Sequence, residues 1–305
     1  MNVIHKIGVI LFLLCPYISL YGQEGRDTLT FRIVSYNVEN LFDFRHDTLK
    51  NDYEFLPDAR YSALREADYR YVMTQSPDER GIDVALLYQR NLFKLLSYQS
   101  LPVDKPRKNS RPTRDILHVS GLLLNRDTLD VLVAHFPSRS GGARESEPYR
   151  LLAARKVKHA IDSLYTIRRH PQIVLLGDFN DYPENKSVKE VLEAAAPSTL
   201  QDSLRPQKLY HLLAGKAKTR KHFGSYKYQG EWGLLDHIIV SGTLLQEHAP
   251  LYTEEAKADV FCLPFLLTRD KKYGGQQPFR TYYGMKYQGG YSDHLPVYAE
   301  FRLIY

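Results

Sequence analysis

Two short stretches far apart in the chain carry groups that could act on a phosphate ester. Gly177-Asp178-Phe179-Asn180 closes the apolar run 172–176, and Ser292-Asp293-His294 precedes the alternating run 296–303. Each sets a carboxylate beside an amide or an imidazole at the end of a predicted strand, where a rigid sheet holds polar groups in fixed geometry. Asn37, His135 and Asp236 stand at the ends of further predicted strands. Breaking a P–O bond needs an activated water, a cation on the phosphate oxygens and a group that stabilises the leaving oxygen. Asp178 could take the proton from water, with Asn180 holding that water or a phosphate oxygen. Asp293 is a hard oxygen donor suited to Mg2+ or Mn2+. His294 would touch the phosphate while Asp236 fixes its tautomer, and His135 could serve as a general acid. Arg114 and Arg139 are candidate phosphate forks.

Each signal has a bland counterpart. Gly, Asp and Asn all favour turns, so Gly-Asp-Phe-Asn alone reads as a strand-to-turn junction. Ser-Asp-His is common in loops, and a histidine at a strand end is more often a hydrogen-bonded structural residue than a catalyst. His237 follows Asp236 directly, so in a strand it faces the other way and is assigned to the fold. The Arg and Lys residues scattered over 65–80 read as a solvated surface. Order and placement lift the set above these counterparts, with five signals at strand ends in one chain.

The elements that must position these groups follow from hydrophobic period. Strands are predicted at 31–38, 82–88, 92–98, 116–124, 128–135, 172–176, 222–228, 235–240 and 296–303. A helix is predicted over 149–168, with Leu151, Ala154, Val157, Ile161 and Leu164 on its apolar face and Pro171 closing it. Ser187-Val188-Lys189-Glu190 has the capping-box pattern that opens a second helix through Ala195. Strands that come in neighbouring pairs, with few helices between, favour two packed sheets with helices outside. One α+β domain is expected.

Residues 1–22 read as a signal peptide, with Lys6 before an apolar run at 7–14 and Leu20-Tyr21-Gly22 at the cleavage end. Residues 23–305 form the mature domain, periplasmic or secreted. A lipid anchor on Cys15 is disfavoured because Leu14 is bulky. No other segment is apolar enough to span a bilayer, so no stable membrane insertion is expected, and the protein is read as a monomer. The formal net charge of +6 suits a polyanionic substrate, and 43% hydrophobic residues suffice for a single core. Cys262 alone remains after cleavage, which excludes an intrachain disulfide.

Ser35-Tyr36-Asn37-Val38, Arg114-Asp115-Ile116, His135-Phe136-Pro137, Gly177-Asp178-Phe179-Asn180, Leu235-Asp236-His237-Ile238 and Ser292-Asp293-His294 follow one another from 31 to the C-terminus. In that order they resemble the endonuclease/exonuclease/phosphatase superfamily, which includes pancreatic-type deoxyribonucleases, apurinic-site endonucleases, inositol-phosphate phosphatases and sphingomyelinases. The resemblance implies a four-layer αββα sandwich of two packed mixed sheets, with both sheets giving strand-end residues to one pocket. It implies that Asn37 and Asp293 lie near a Mg2+ or Mn2+ ion, that Asp178 activates water and that Asp236 pairs with His294. The activity implied is that of a metal-dependent phosphoesterase, nuclease-like, acting on a phosphodiester.

One expected part is missing. The superfamily places its principal metal-binding Glu at the end of the second strand, yet 39–81 is charged and Tyr-rich with no apolar run ending in Glu. One helix–strand unit, on the order of 30 residues, reads as absent near the N-terminus, with Ala59-Arg60-Tyr61 a candidate junction. Glu39 would face the same way as Asn37 in an extended strand and is the best substitute ligand, with Glu54 a weaker one. Two further outcomes therefore stand beside activity: a weakened relative that binds a phosphorylated ligand, or a non-functional, internally deleted product. For the substrate, Lys271, Lys272, Tyr273, Arg280, Tyr282, Tyr283, Lys286 and Tyr287 could hold phosphates and stack bases, as on nucleic acid. With 23 Tyr in the chain that enrichment is general, and the substrate stays open among nucleic acid, phospholipid head group and small phosphoesters.

Overall fold

Val131, Leu132 and Val133 are all buried, as are Val174, Leu175 and Leu176. Strands without a polar face must be covered on both sides, and here a helix covers one side and a second sheet the other. The computed structural model describes residues 6–11, 27–39, 68–107, 110–199, 204–284 and 286–305. In chain order its strands are β1 (Lys6–Leu11), β2 (Thr28–Ser35), β3 (Tyr69–Met73), β4 (Ile82–Gln89), β5 (Lys94–Leu101), β6 (Ile116–Leu122), β7 (Thr128–His135), β8 (Gln172–Asp178) and β9 (Leu209–His211). The hairpin β10 (Tyr226–Tyr228) and β11 (Glu231–Gly233) precedes β12 (Asp236–Ser241), β13 (Leu251–Tyr252) and β14 (Ala258–Val260). Two small ribbons, β15 (Leu267–Arg269) with β16 (Gln276–Pro278) and β17 (Tyr282–Tyr283) with β18 (Lys286–Tyr287), lead to β19 (Val297–Ile304). The helices are α1 (Ala143–Ile167) and the short α2 (Ala214–Thr219).

A six-stranded sheet runs β5-β6-β7-β8-β12-β9, with β7 and β8 parallel and the other neighbours antiparallel. Parallel neighbours need a crossover, and α1 supplies it. Its Ala154, Val157, Ile161 and Leu164 pack on Leu132, Ile173, Leu175 and Ile239. On the other face Val131, Val133, Val174, Leu176 and Ile238 meet Phe31, Ile33, Leu86, Val297 and Phe301 of the second layer. The expected α+β sandwich is the fold, with a mixed six-stranded sheet packed on a second layer of strands.

The second layer is interrupted. β19 pairs with β2, β13 and β14, whereas β4 pairs with β3 and β1 in a separate hydrogen-bonded sheet. β1 runs parallel to β4, from Lys6 opposite Ile82 to Leu11 opposite Leu87, and lies against β2. The segment read as a leader is thus hydrogen-bonded to β4 and close to β2. The helix–strand unit expected to be missing concerns residues that include 40–67, which lie outside the described residues. Glu54 and the Ala59-Arg60-Tyr61 junction lie there too, and among the described residues the long helix stands on the six-stranded sheet.

Two local expectations change. α1 starts at Ala143 rather than Tyr149, because its first turns bury polar groups that give no apolar period. Arg150 donates to Ser146 Oγ and to the Ala143 carbonyl, both at 2.7 Å. The second helix shrinks to one wide turn, Ser187–Val191, since the Ser187 hydroxyl donates to Asp181 Oδ2 at 2.7 Å instead of capping. Arg70 and Arg80 are exposed, as expected of the basic residues there, while Val72 of β3 lies in the core and Asp78 is buried.

Candidate active site

Register alone gathers three of the expected side chains. His135 ends β7 opposite Asp178 at the end of β8, and Asp178 faces Asp236 at the start of β12. The strands approach closely because Gly177 has φ 139°, where an added Cβ would lie 1.8 Å from the Ala134 carbonyl oxygen. In the second layer Ser35 pairs with Val297, which brings the loops after β2 and before β19 to the same edge. There Asn37 Nδ2 donates to Asp178 Oδ2 at 3.0 Å, and the Asn37 carbonyl accepts the Ser292 hydroxyl. The sequence places these groups at strand ends, and the structure brings them together.

His294 is buried against β12. Its Nδ1 lies 2.6 Å from Asp236 Oδ2, which also accepts the Ser225 hydroxyl at 2.6 Å. Its Nε2 lies 3.8 Å from Asp178 Oδ2, and His135 Nε2 approaches the same oxygen at 3.4 Å. Burial disfavours a charge on His294, but Asp236 and Asp178 outweigh it and raise its pKa to about 10. Burial raises Asp178 to about 6, against the pull of His294 and its hydrogen bonds from Asn180 and Asn37. At neutral pH the pair is therefore a carboxylate and an imidazolium. Burial, then Arg114, His294 and Arg80, keep His135 neutral. Its Nε2 stands beside Asp178 Oδ2, the carboxylate oxygen opposite the one held by the Asn180 N–H.

Asn180 has φ 51°. Its backbone N–H donates to Asp178 Oδ1 at 2.8 Å and its side chain to the Phe136 carbonyl at 3.0 Å. It braces Asp178. Arg114 is buried, with Nη1 3.3 Å from Asp78 Oδ2 and Nη2 2.7 Å from the same Phe136 carbonyl. It too holds the β7 end. Arg139 is stacked over Tyr182 at 4.6 Å, bonds Asn185 Oδ1 at 3.3 Å and faces Asp181 at 3.8 Å. These contacts turn it towards the loop after β8.

Glu39 and Asp293 converge on a cation from the chain itself. Arg280 Nη2 lies 2.7 Å from Glu39 Oε1 and 3.0 Å from Asp293 Oδ2, and Thr281 N–H donates to Glu39 Oε2 at 3.3 Å. Asn37 has its Oδ1 occupied by the Glu39 N–H at 3.1 Å. Among the described residues no group of three or more acidic, His or Cys side chains is placed to hold a metal ion. With their oxygens so engaged, Asn37, Glu39 and Asp293 do not fit a divalent ion as they stand. Arg280 belongs to the basic, aromatic stretch noted in the sequence, whereas Tyr283 and Tyr287 of that stretch are exposed. Ser225, and Tyr226 with its ring 4.8 Å from that of His294, had no signal in the sequence.

The chain belongs to the endonuclease/exonuclease/phosphatase family, whose model matches residues 59–303. No curated protein sequence matches it. Its structure is similar to that of the human Nocturnin catalytic domain with bound sulfate, at 16% identity over 80% of this chain and 76% of that one, with TM-score 0.47. An endonuclease/exonuclease/phosphatase family protein from Bacteroides thetaiotaomicron gives 15% identity, 79% and 77% coverage and TM-score 0.47. A humanized D. rerio TDP2 gives 12% identity, 78% coverage of each chain and TM-score 0.48.

Proposed function

We propose that this chain is an exported phosphoesterase, nuclease-like in hydrolysing the P–O bonds of a phosphodiester. The family membership and one arrangement support the reading: the Asp178 carboxylate stands beside a cationic His294 and a neutral His135 at a shared edge of two sheets. Asp178, poised near pH 6, accepts the proton of the attacking water. The His294 imidazolium presents its Nε2–H to a phosphate oxygen, held by Asp236 and Ser225. Asn37, Asn180 and His135 keep Asp178 in position. Mg2+ or Mn2+, when bound, would neutralise the phosphate oxygens, but the donors as arranged do not fit it and the proton handling above is independent of it. The leader-like run at 7–14 supports export, and cleavage after Gly22 would take β1 out of the exported form.

A second reading, a weakened relative that binds a phosphorylated ligand, is favoured by the engagement of Glu39 and Asp293 with Arg280. Hydrolysis of bis(p-nitrophenyl) phosphate and of plasmid DNA, with Mg2+, with Mn2+ and with chelator, separates the two. Asp178→Asn is expected to lower any rate by about 100-fold or more; an unchanged rate removes Asp178 from the chemistry. A cooperatively folded protein that cleaves neither substrate supports the second reading.

A further inference from the structure

We propose that Arg280 is the resident cation of the acidic bay and that its guanidinium keeps Glu39 and Asp293 closed to a divalent ion. One nitrogen, Nη2, stands within 3.0 Å of an oxygen from each carboxylate. A metal ion shared by the two carboxylates would sit about 2.0–2.6 Å from their oxygens, in the space between them where Nη2 stands, so guanidinium and ion compete for the bay. A guanidinium is charged at every accessible pH, so deprotonation does not release the bay; the side chain has to move. Glu39 is built for this contact. Its backbone sits at φ 53°, an uncommon conformation for a glutamate, and its N–H is held by Asn37 Oδ1 at 3.1 Å. Its second carboxylate oxygen is pinned by the Thr281 N–H at 3.3 Å, beside Arg280 in sequence. The loops after β2 and before β19 are thereby tied across the pocket by a charge that a metal would otherwise supply.

The inference concerns the same pocket as the phosphoesterase reading and rests on it for the meaning of the bay. Its test reads ion binding, so the two can fail separately. Mn2+ binding to the full chain is measured by paramagnetic resonance of the free ion, with urea unfolding run on every variant. Arg280→Met is expected to bind Mn2+ at least about tenfold more tightly than the unaltered chain, and adding Glu39→Gln should remove that gain. In the unaltered chain Glu39→Gln alone should leave Mn2+ affinity within about twofold, since Arg280 already holds that carboxylate. A cooperatively folded Arg280→Met that binds no more tightly overturns the proposal. So does an unaltered chain whose tight Mn2+ binding is lost in Glu39→Gln, a comparison that stands even if Arg280→Met does not fold.

Discussion

His294 Nδ1 lies 2.6 Å from Asp236 Oδ2, although Asp236 opens a strand of the six-stranded sheet and His294 precedes a strand of the other layer. The contact joins the two layers at their shared edge and fixes the imidazole at the same time. A charge-assisted hydrogen bond of this length between buried groups is among the stronger ones available to a protein.

Stability should accordingly depend on pH through His294. Its folded pKa of about 10 exceeds the ordinary 6.5, so its contribution is complete below 6.5 and lost as pH rises through about 10. Asp178, raised by burial to about 6, adds a loss of the same sign at lower pH, withdrawing stability as it ionises between 3.8 and about 6. Asp236→Asn should flatten the loss between neutral pH and pH 10, measured by urea unfolding. In the same variant any pH–rate profile should shift its ascending limb below 6, because the Asp236 charge helps to raise Asp178, and its descending limb should move down by about one unit or more. Unfolding curves that track the unaltered protein at every pH would remove Asp236 as the partner that charges His294.

Gly177→Ala tests the packing that places Asp178. The new Cβ would meet the Ala134 carbonyl oxygen at 1.8 Å, and φ 139° is foreign to an L side chain. Parting β7 from β8 would displace His135 and Asp178, which are paired across that ladder. The expected loss is on the order of 3 kcal/mol in unfolding free energy. A change below about 0.5 kcal/mol would mean that the strand end adapts freely.

Strand ends were readable from the sequence because buried β-runs stop where polar residues begin, and β7, β8, β12 and β19 all show that break. Three carboxylates and two imidazoles could be placed at strand ends on that ground, and the resemblance of their order implied one shared pocket. Side-chain direction beyond the strands could not. Whether Arg139 faces the pocket depends on Tyr182, Asn185 and Asp181 in the next loop. Whether Glu39 meets a metal or Arg280 depends on a positive-φ turn and on a loop some 240 residues away. Such contacts leave no periodic trace. The placement of β1 was equally hidden, since an apolar leader and a strand of a parallel pair can have the same composition.

The β1 pairing predicts a consequence of removing residues 1–22. Lys6–Leu11 supplies the parallel partner of β4 and lies against β2. Residues 23–305 would lack it, leaving the β4 edge without that strand. The shortened chain should unfold at a lower urea concentration than the full chain, and a synthetic peptide of sequence KIGVIL should restore part of the difference. Equal midpoints with and without the first 22 residues would show that β1 contributes nothing to the layer.

A buried pair of histidines should set the acid limit of the fold. His237 Nε2 lies 2.9 Å from the Asp181 carbonyl oxygen and must donate to it, which leaves Nδ1 as an acceptor. His211 Nε2, 2.6 Å away, donates to that nitrogen, and His211 Nδ1 accepts the N–H groups of Leu213 and Ala214, each at 3.1 Å. One proton per ring satisfies every partner, so a second proton on either ring would set donor against donor. Burial is the main cause that lowers His237 to about 4 and His211 well below 6.5. Unfolding lets both rings bind protons near 6.5, so stability is complete above that pH and falls as pH drops towards 4. The His237 ring stacks on Phe179 at 4.6 Å, and Phe179 lies between Asp178 and Asn180 in the chain, so the acid transition should disturb the pocket as well as the core. His237→Gln, which cannot take up a proton, should flatten the slope of unfolding free energy between pH 6.5 and 4 by an amount on the order of a few kcal/mol. It should also lower stability at pH 7, because the amide cannot reproduce both the stack and the two hydrogen bonds. If the variant loses stability at pH 7 yet keeps the full acid slope, another group sets the acid limit and the pair is purely a packing element.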